Sequence, residues 1–79
     1  MKKTIIVKNS KSKIKVYNNY IEIINMNENR VIGIRNIREL YLNQQIEISP
    51  SKFLKLLQEF KIFFINHHGK ILGKIENIP

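Results

Sequence analysis

The sequence has no cysteine, aspartate, alanine or tryptophan, and only three glycines and two prolines. Without cysteine there is neither a disulfide framework nor a thiolate zinc site to reinforce a small core. Without aspartate, any chemistry built on paired carboxylates falls to a few glutamates. Long hydrophobic runs are missing too. The longest apolar-rich stretch, residues 60–65, is interrupted by Lys61 and is far too short to span a bilayer. Met1, Lys2 and Lys3 resemble the basic start of a signal peptide, but residues 5–7 are too short for its apolar segment. A soluble, cytoplasmic chain with no membrane partner is expected.

What the chain has is isoleucine, asparagine and positive charge. Lys and Arg number 14 against six acidic residues, a net +8 that favours polyanionic partners. AT-rich coding also enriches lysine, so the placement of the charges says more than their number. With 79 residues, one domain is expected. A chain of that size buries roughly 60–65% of its unfolded surface, which leaves a thin core and invites support from an interface.

Most of the sequence has the pattern of short strands. Residues 4–7 form a β-branched run. In 13–17, Ile14 and Val16 alternate with Lys13, Lys15 and Tyr17. Asn18 and Asn19 offer turn chemistry through their tolerance of positive φ, and residues 20–26 follow as another strand. These pieces suggest an antiparallel meander. Residues 31–34 and 37–42 continue the β character, and Ile46 and Ile48 flank Glu47 in a further short strand. The period then changes. Ser49 and Pro50 suit a helix start, and Phe53, Leu56, Leu57 and Phe60 fall at helical spacing. Residues 62–65 are continuously apolar, as in a fully buried strand. Residues 67–70 make a turn before a last strand at 71–75, and the chain stops at Ile78 and Pro79 at the edge of a domain. The fold class expected is mainly β (α+β): a small two-sheet domain with one packed helix.

The order of these pieces resembles the amino-terminal β domain of the CRISPR-associated spacer-acquisition endonuclease/integrase family. The resemblance runs from a hydrophobic strand at 31–34 into an I-x-E-L strand carrying Ile37, Glu39 and Leu40. It continues through Ile48, Ser49 and Pro50 into a helix with the paired Leu56 and Leu57. It ends on the strand at 62–66 and a G-K-x-x-G turn and strand at Gly69, Lys70 and Gly73. No single piece is specific; their ordered set is.

That resemblance implies a two-domain protein of antiviral defence. In it, residues 1–79 would be the single β domain, and the helical catalytic domain would lie outside this chain. In the family, that helical domain holds magnesium or manganese and cuts DNA or joins fragments into the CRISPR array. The β domain helps form a homodimer, two such dimers flank a smaller adaptation partner protein, and it contacts double-stranded DNA with exposed ends. No metal ligand and no catalytic residue is expected in this chain, which alone would be inactive. Some members carry an aromatic residue in the loop after the first strand that stacks on the terminal base pair. Residues 8–13 hold none here, which leaves Lys8, Lys11 and Lys13 as DNA-binding candidates that need only charge and reach to grip phosphates.

The residues themselves admit plainer accounts. Lys2, Lys3, Lys8, Lys11, Lys13 and Lys15 precede any acidic residue and form either a phosphate track or a solvated face. The adjacent His67 and His68 are expected to point in different directions, as ordinary turn residues without a third metal ligand. A plain helix cap accounts for Ser49, Pro50 and Ser51. Glu22, Glu39 and Glu47 alternate with apolar neighbours as solvent-facing strand positions. Tyr17, Tyr20 and Tyr41 suit a core or an interface ahead of base stacking. Two other functional classes fit the composition. One is a freestanding basic β module for single-stranded nucleic acid; the other is a purely structural dimerisation domain.

Overall fold

The computed structural model describes residues 1–75. Seven strands run in chain order: β1 (Lys3–Val7), β2 (Lys13–Val16), β3 (Tyr20–Ile24), β4 (Asn29–Gly33), β5 (Ile37–Asn43), β6 (Lys61–Ile65) and β7 (Ile71–Ile75). A 3-10 turn, Ile34–Asn36, joins β4 to β5, and one helix, α1 (Pro50–Leu57), joins β5 to β6. A four-stranded sheet has the order β1-β5-β6-β7, and a three-stranded sheet the order β2-β3-β4. The expected two-sheet, one-helix architecture is therefore what forms. The expected end of the chain at Ile78 and Pro79 lies outside the described residues.

Strand partners depart from the expected meander. Only β2, β3 and β4 zigzag antiparallel, whereas β1 leaves them and pairs parallel with β5. Alternation within residues 4–7 shows which side chains turn inward but cannot name a partner more than thirty residues away. The pairing is set by burial: Ile5 and Val7 lie beside Leu40 and Leu42, and all four are almost wholly excluded from solvent. β5 and β6 also run parallel, so their connection must cross over, and α1 makes that crossing.

Local chemistry accounts for α1. The Ser49 hydroxyl accepts from the Lys52 amide at 3.4 Å, and Pro50 opens the first turn, where no donor is required. Leu56 is fully buried and the Phe53 ring stacks on Phe64 of β6. The helix therefore covers the face that carries Ile5, Val7, Leu40, Leu42 and Ile62. Ile21, Ile23 and Val16 close the core from the second sheet. On the far side, the Lys55 ammonium donates to the Tyr17 carbonyl at 3.2 Å and to Asn18 Oδ1 at 3.3 Å, tying helix to hairpin.

Five further expectations are corrected. Residues 46–48 form no strand: the Ile46 amide donates to the Asn43 carbonyl at 3.0 Å, closing a turn. Ile46 is then buried from a loop. The hairpin at Asn18 and Asn19 uses no positive φ; Tyr17 donates to the Tyr20 carbonyl at 2.9 Å with both asparagines in ordinary backbone regions. Strand β4 begins at Asn29, and Ile34 belongs to the 3-10 turn. Strand β6 is not buried on both sides, because Phe63 and Phe64 point to opposite faces and each stays half-exposed. The helix ends at Leu57, before the apolar stripe does, and Phe60 is buried from the turn that follows.

Candidate nucleic-acid interface

Parallel pairing of β1, β5 and β6 brings their carboxyl ends, Val7, Asn43 and Ile65, to one end of the larger sheet. The loops leaving those ends are residues 8–12, 44–49 and 66–70. Asn43 holds the first two together. Buried within the protein, its side-chain amide donates to the Lys8 carbonyl at 2.8 Å, while its Oδ1 accepts from the Gln45 amide at 2.8 Å. The Gln44 amide donates to the Ile65 carbonyl at 3.0 Å, which ties the second loop to the third. The first two loops are thus joined through the Asn43 side chain, and the second is tied by its backbone to the end of β6 from which the third departs.

Within the first loop, Asn9 shapes the turn. Its Oδ1 accepts from the Lys11 amide at 2.9 Å and its carbonyl from the Ser12 amide at 3.1 Å. Buried Ser12 donates its hydroxyl to Asn25 Oδ1, anchoring the loop to the strand β3 side. With the polar side chains of Asn9 and Ser12 committed to structure, Lys8, Lys11 and Lys13 are left exposed at the rim. Glu47 stands by Lys11 and Lys13 across a shallow depression also lined by Ser10 and Gln45.

The structure splits the lysine-rich segment that the sequence presents as one. Lys8, Lys11 and Lys13 share this end of the larger sheet. Lys2 and Lys3 lie at the opposite end of β1, about 15 Å away along a strand rising about 3.3 Å per residue. Lys15 faces outward from β2, opposite Glu22.

The other singled-out residues find structural partners. Glu22 accepts from the Asn29 side chain at 3.3 Å, and Glu39 from the Thr4 hydroxyl at 3.3 Å. The stacked rings of Tyr17 and Tyr20, with centroids 4.6 Å apart, flank the β2–β3 turn. Tyr41 stacks on Phe63 at 4.5 Å, and Ile6 lies next to Tyr41 in the sheet with 57% of its surface exposed. These three form an apolar row on the face of the sheet that turns away from α1. His67 and His68 do not point apart as expected: their rings touch, with centroids 3.9 Å apart and planes tilted by 45°. Among the described residues no three of His, Cys, Asp or Glu gather to hold a metal ion. None of their helices is long and apolar enough to cross a membrane.

Asn43 carried no signal in the sequence as part of this site. An asparagine closing an apolar strand just before Gln44 and Gln45 is the one hint, since asparagine commonly bonds backbone two residues on.

No protein-family model and no curated protein sequence matches the chain. Solved structures do. A chain of a partial Cas6-RT-Cas1–Cas2 complex superposes with a TM-score of 0.81 at 11% identity over 99% of this chain. A Cas1 protein from Thermotoga maritima gives 0.75 at 17% identity over 94%. A casposase bound to its integration product gives 0.66 at 13% identity over 96%. The chain therefore has the fold of a domain found in Cas1 proteins and in a casposase, as its ordered motifs suggested. It spans about a quarter of the length of those proteins, 24% and 25% of the first two.

Proposed function

We propose that this domain is the amino-terminal, non-catalytic part of a CRISPR adaptation integrase, where it joins two copies of the protein and holds the end of a DNA duplex. The observation that carries this is the grouping of Lys8, Lys11 and Lys13 where three parallel strands end, on a domain with the Cas1 and casposase fold. Ligands of sheets with parallel strands favour that end, and phosphates need only charge within reach. Metal-dependent endonuclease and integration chemistry would belong to a separate helical domain holding magnesium or manganese. A smaller adaptation protein would sit between two dimers.

The apolar row of Ile6, Tyr41 and Phe63 supports self-association. An exposed isoleucine beside a half-buried, stacked aromatic pair on a sheet face has the composition of the centre of an interface, and a second copy would bring an identical row. The same row fits a domain whose work is dimerisation alone, so DNA binding is the property that separates the two.

Fluorescence anisotropy with a labelled duplex bearing free ends, its hairpin-capped counterpart and a single strand tests the proposal. Tightest binding to the free-ended duplex, weakening steeply with salt, is the expected result. Preference for the single strand would instead indicate a module that stacks unpaired bases. No binding at low salt by a chain that still dimerises would leave a structural domain.

A further inference from the structure

The turn at residues 66–70 stands beside the lysine-bearing loop and is built to stay rigid. Asn66 Oδ1 accepts from the His68 amide at 2.9 Å and the Lys70 amide at 3.0 Å. Its carbonyl accepts from the Gly69 amide at 2.9 Å, and its own amide donates to the Lys70 carbonyl at 3.0 Å. Gly69, at a φ of 85°, supplies the left-handed residue the reversal requires. The Lys8 side chain runs along this turn, with its Cε only 3.5 Å from where a Cβ on Gly69 would stand. Lys8, His67, His68 and Lys70 thus share one small region, and all four side chains reach solvent.

The three loops carry Lys8, Lys11, His67, His68 and Lys70, with Lys13 opening β2 at their edge, against the single acid Glu47. Glu47 stands on the Lys11 and Lys13 side, so the part nearest the turn has no acidic residue on any of the three loops. None of these loops exposes a large apolar side chain. Ile71 and Leu72 of β7 are exposed just past the turn, but the loops themselves offer charge and hydrogen-bond donors without apolar groups, which suits a phosphodiester backbone better than a lipid surface.

We propose that the 66–70 turn is the second half of a phosphodiester-binding surface, with Lys70 and the touching His67 and His68 rings gripping backbone phosphates alongside Lys8. The inference rests on the DNA-holding role and adds residues to it. Backbone amides of His68, Gly69 and Lys70 are already bonded within the turn, so the grip comes from side chains and follows their charge and donors. Lys70 adds an ammonium, and each imidazole offers a ring N–H. The rigid turn fixes where they stand before DNA arrives, which limits the ordering cost of binding.

The test is binding of the full chain to a labelled duplex with free ends, over a salt series, for four variants. Lys70→Gln and the double His67→Gln/His68→Gln change the turn, Lys8→Gln/Lys11→Gln/Lys13→Gln changes the loop, and Lys2→Gln/Lys3→Gln is a control at the far end of β1. All these side chains are exposed, and the backbone bonds of the turn are untouched. Lys70→Gln is expected to weaken binding several-fold and to reduce the log–log salt slope by about 0.9, as for one lost phosphate contact. The histidine double variant should weaken binding, and the control should bind as the wild type does. If the loop variant loses affinity while both turn variants match the wild type, the turn is overturned and the DNA-holding role stands. If the control weakens binding as much as Lys70→Gln, attraction is diffuse and the second half is again overturned. A wild-type chain that binds no duplex overturns both.

Discussion

The buried amide of Asn43 donates to the carbonyl of Lys8 at 2.8 Å across 35 positions of sequence. Through that bond the end of β5 dictates where the lysine-bearing loop leaves β1. Asn43 uses its oxygen as well, accepting from Gln45, so neither half of the side chain is idle. The residue is 2% exposed, where unpaired polar groups are costly.

Replacement of Asn43 by Asp separates these two tasks. Asp keeps an acceptor for Gln45 but cannot donate to Lys8 when ionised, and it places a charge beside a carbonyl oxygen in a dry site. Loss of the donor alone is expected to cost about 1–3 kcal/mol, with more for the charge. Asn43→Leu, which buries no charge, should be the milder of the two. Chemical denaturation compares the stabilities, and amide exchange should show the 8–12 loop loosened in both. Equal stability of Asn43→Asp and wild type would contradict the geometry.

The core is thin enough for a single truncation to matter. Leu56 is fully buried beneath α1, the one helix between the two parallel strands β5 and β6. Leu56→Ala should cost about 2–5 kcal/mol, the range for leucines whose cavities cannot collapse. Small domains hold only about 5 kcal/mol or a little more in total, so this variant is expected to be largely unfolded near body temperature. Leu54, 60% exposed on the same helix, is the matched control, and Leu54→Ala should shift the denaturation midpoint little.

Periodicity made most of the strands and the helix legible, because alternation and the 3.6-residue stripe follow from local geometry, while the two-sheet class came with the resemblance in the order of the pieces. It failed where the decision was long-range. Nothing in residues 3–7 tells that β1 prefers Leu40 and Leu42 as neighbours over the adjacent hairpin. Ile46 and Ile48 imitate a strand because a loop that dips into a core also places apolar residues two apart. The site was legible only in part. Lys8, Lys11 and Lys13 stand out by charge, but their separation from Lys2 and Lys3 depends on strand direction. Their meeting with residues 66–70 depends on parallel pairing. His67 and His68 show the same limit, since alternation separates neighbours on a strand but not on a turn.

The two glycines of the last hairpin should respond differently to alanine. Gly69 has a φ of 85° with only ordinary contact to Lys8, so Gly69→Ala carries backbone strain of roughly 1–2 kcal/mol and no clash. A Cβ on Gly73 would meet nothing within 4 Å and its φ is not positive. Gly73→Ala is therefore expected to be neutral or slightly stabilising, through a less flexible unfolded chain. Thermal denaturation of the two variants side by side checks the order.

Self-association gives the last prediction. Ile6 is 57% exposed at the edge-strand end of the row it makes with Tyr41 and Phe63, on a strand where its own neighbours Ile5 and Val7 are buried. Turning Ile6 into Lys removes an apolar contact and, in a two-fold assembly, sets two new ammonium groups near one another. Both effects act on the dimer. The monomer should notice little, since exposed positions usually tolerate such a change within about 0.5 kcal/mol. Sedimentation velocity over a concentration series is expected to show a dimer for the wild type and a monomer for Ile6→Lys, with unchanged denaturation at low concentration. A variant that dimerises as the wild type does would move the interface off this face. A wild type that stays monomeric throughout would remove self-association from the domain's role.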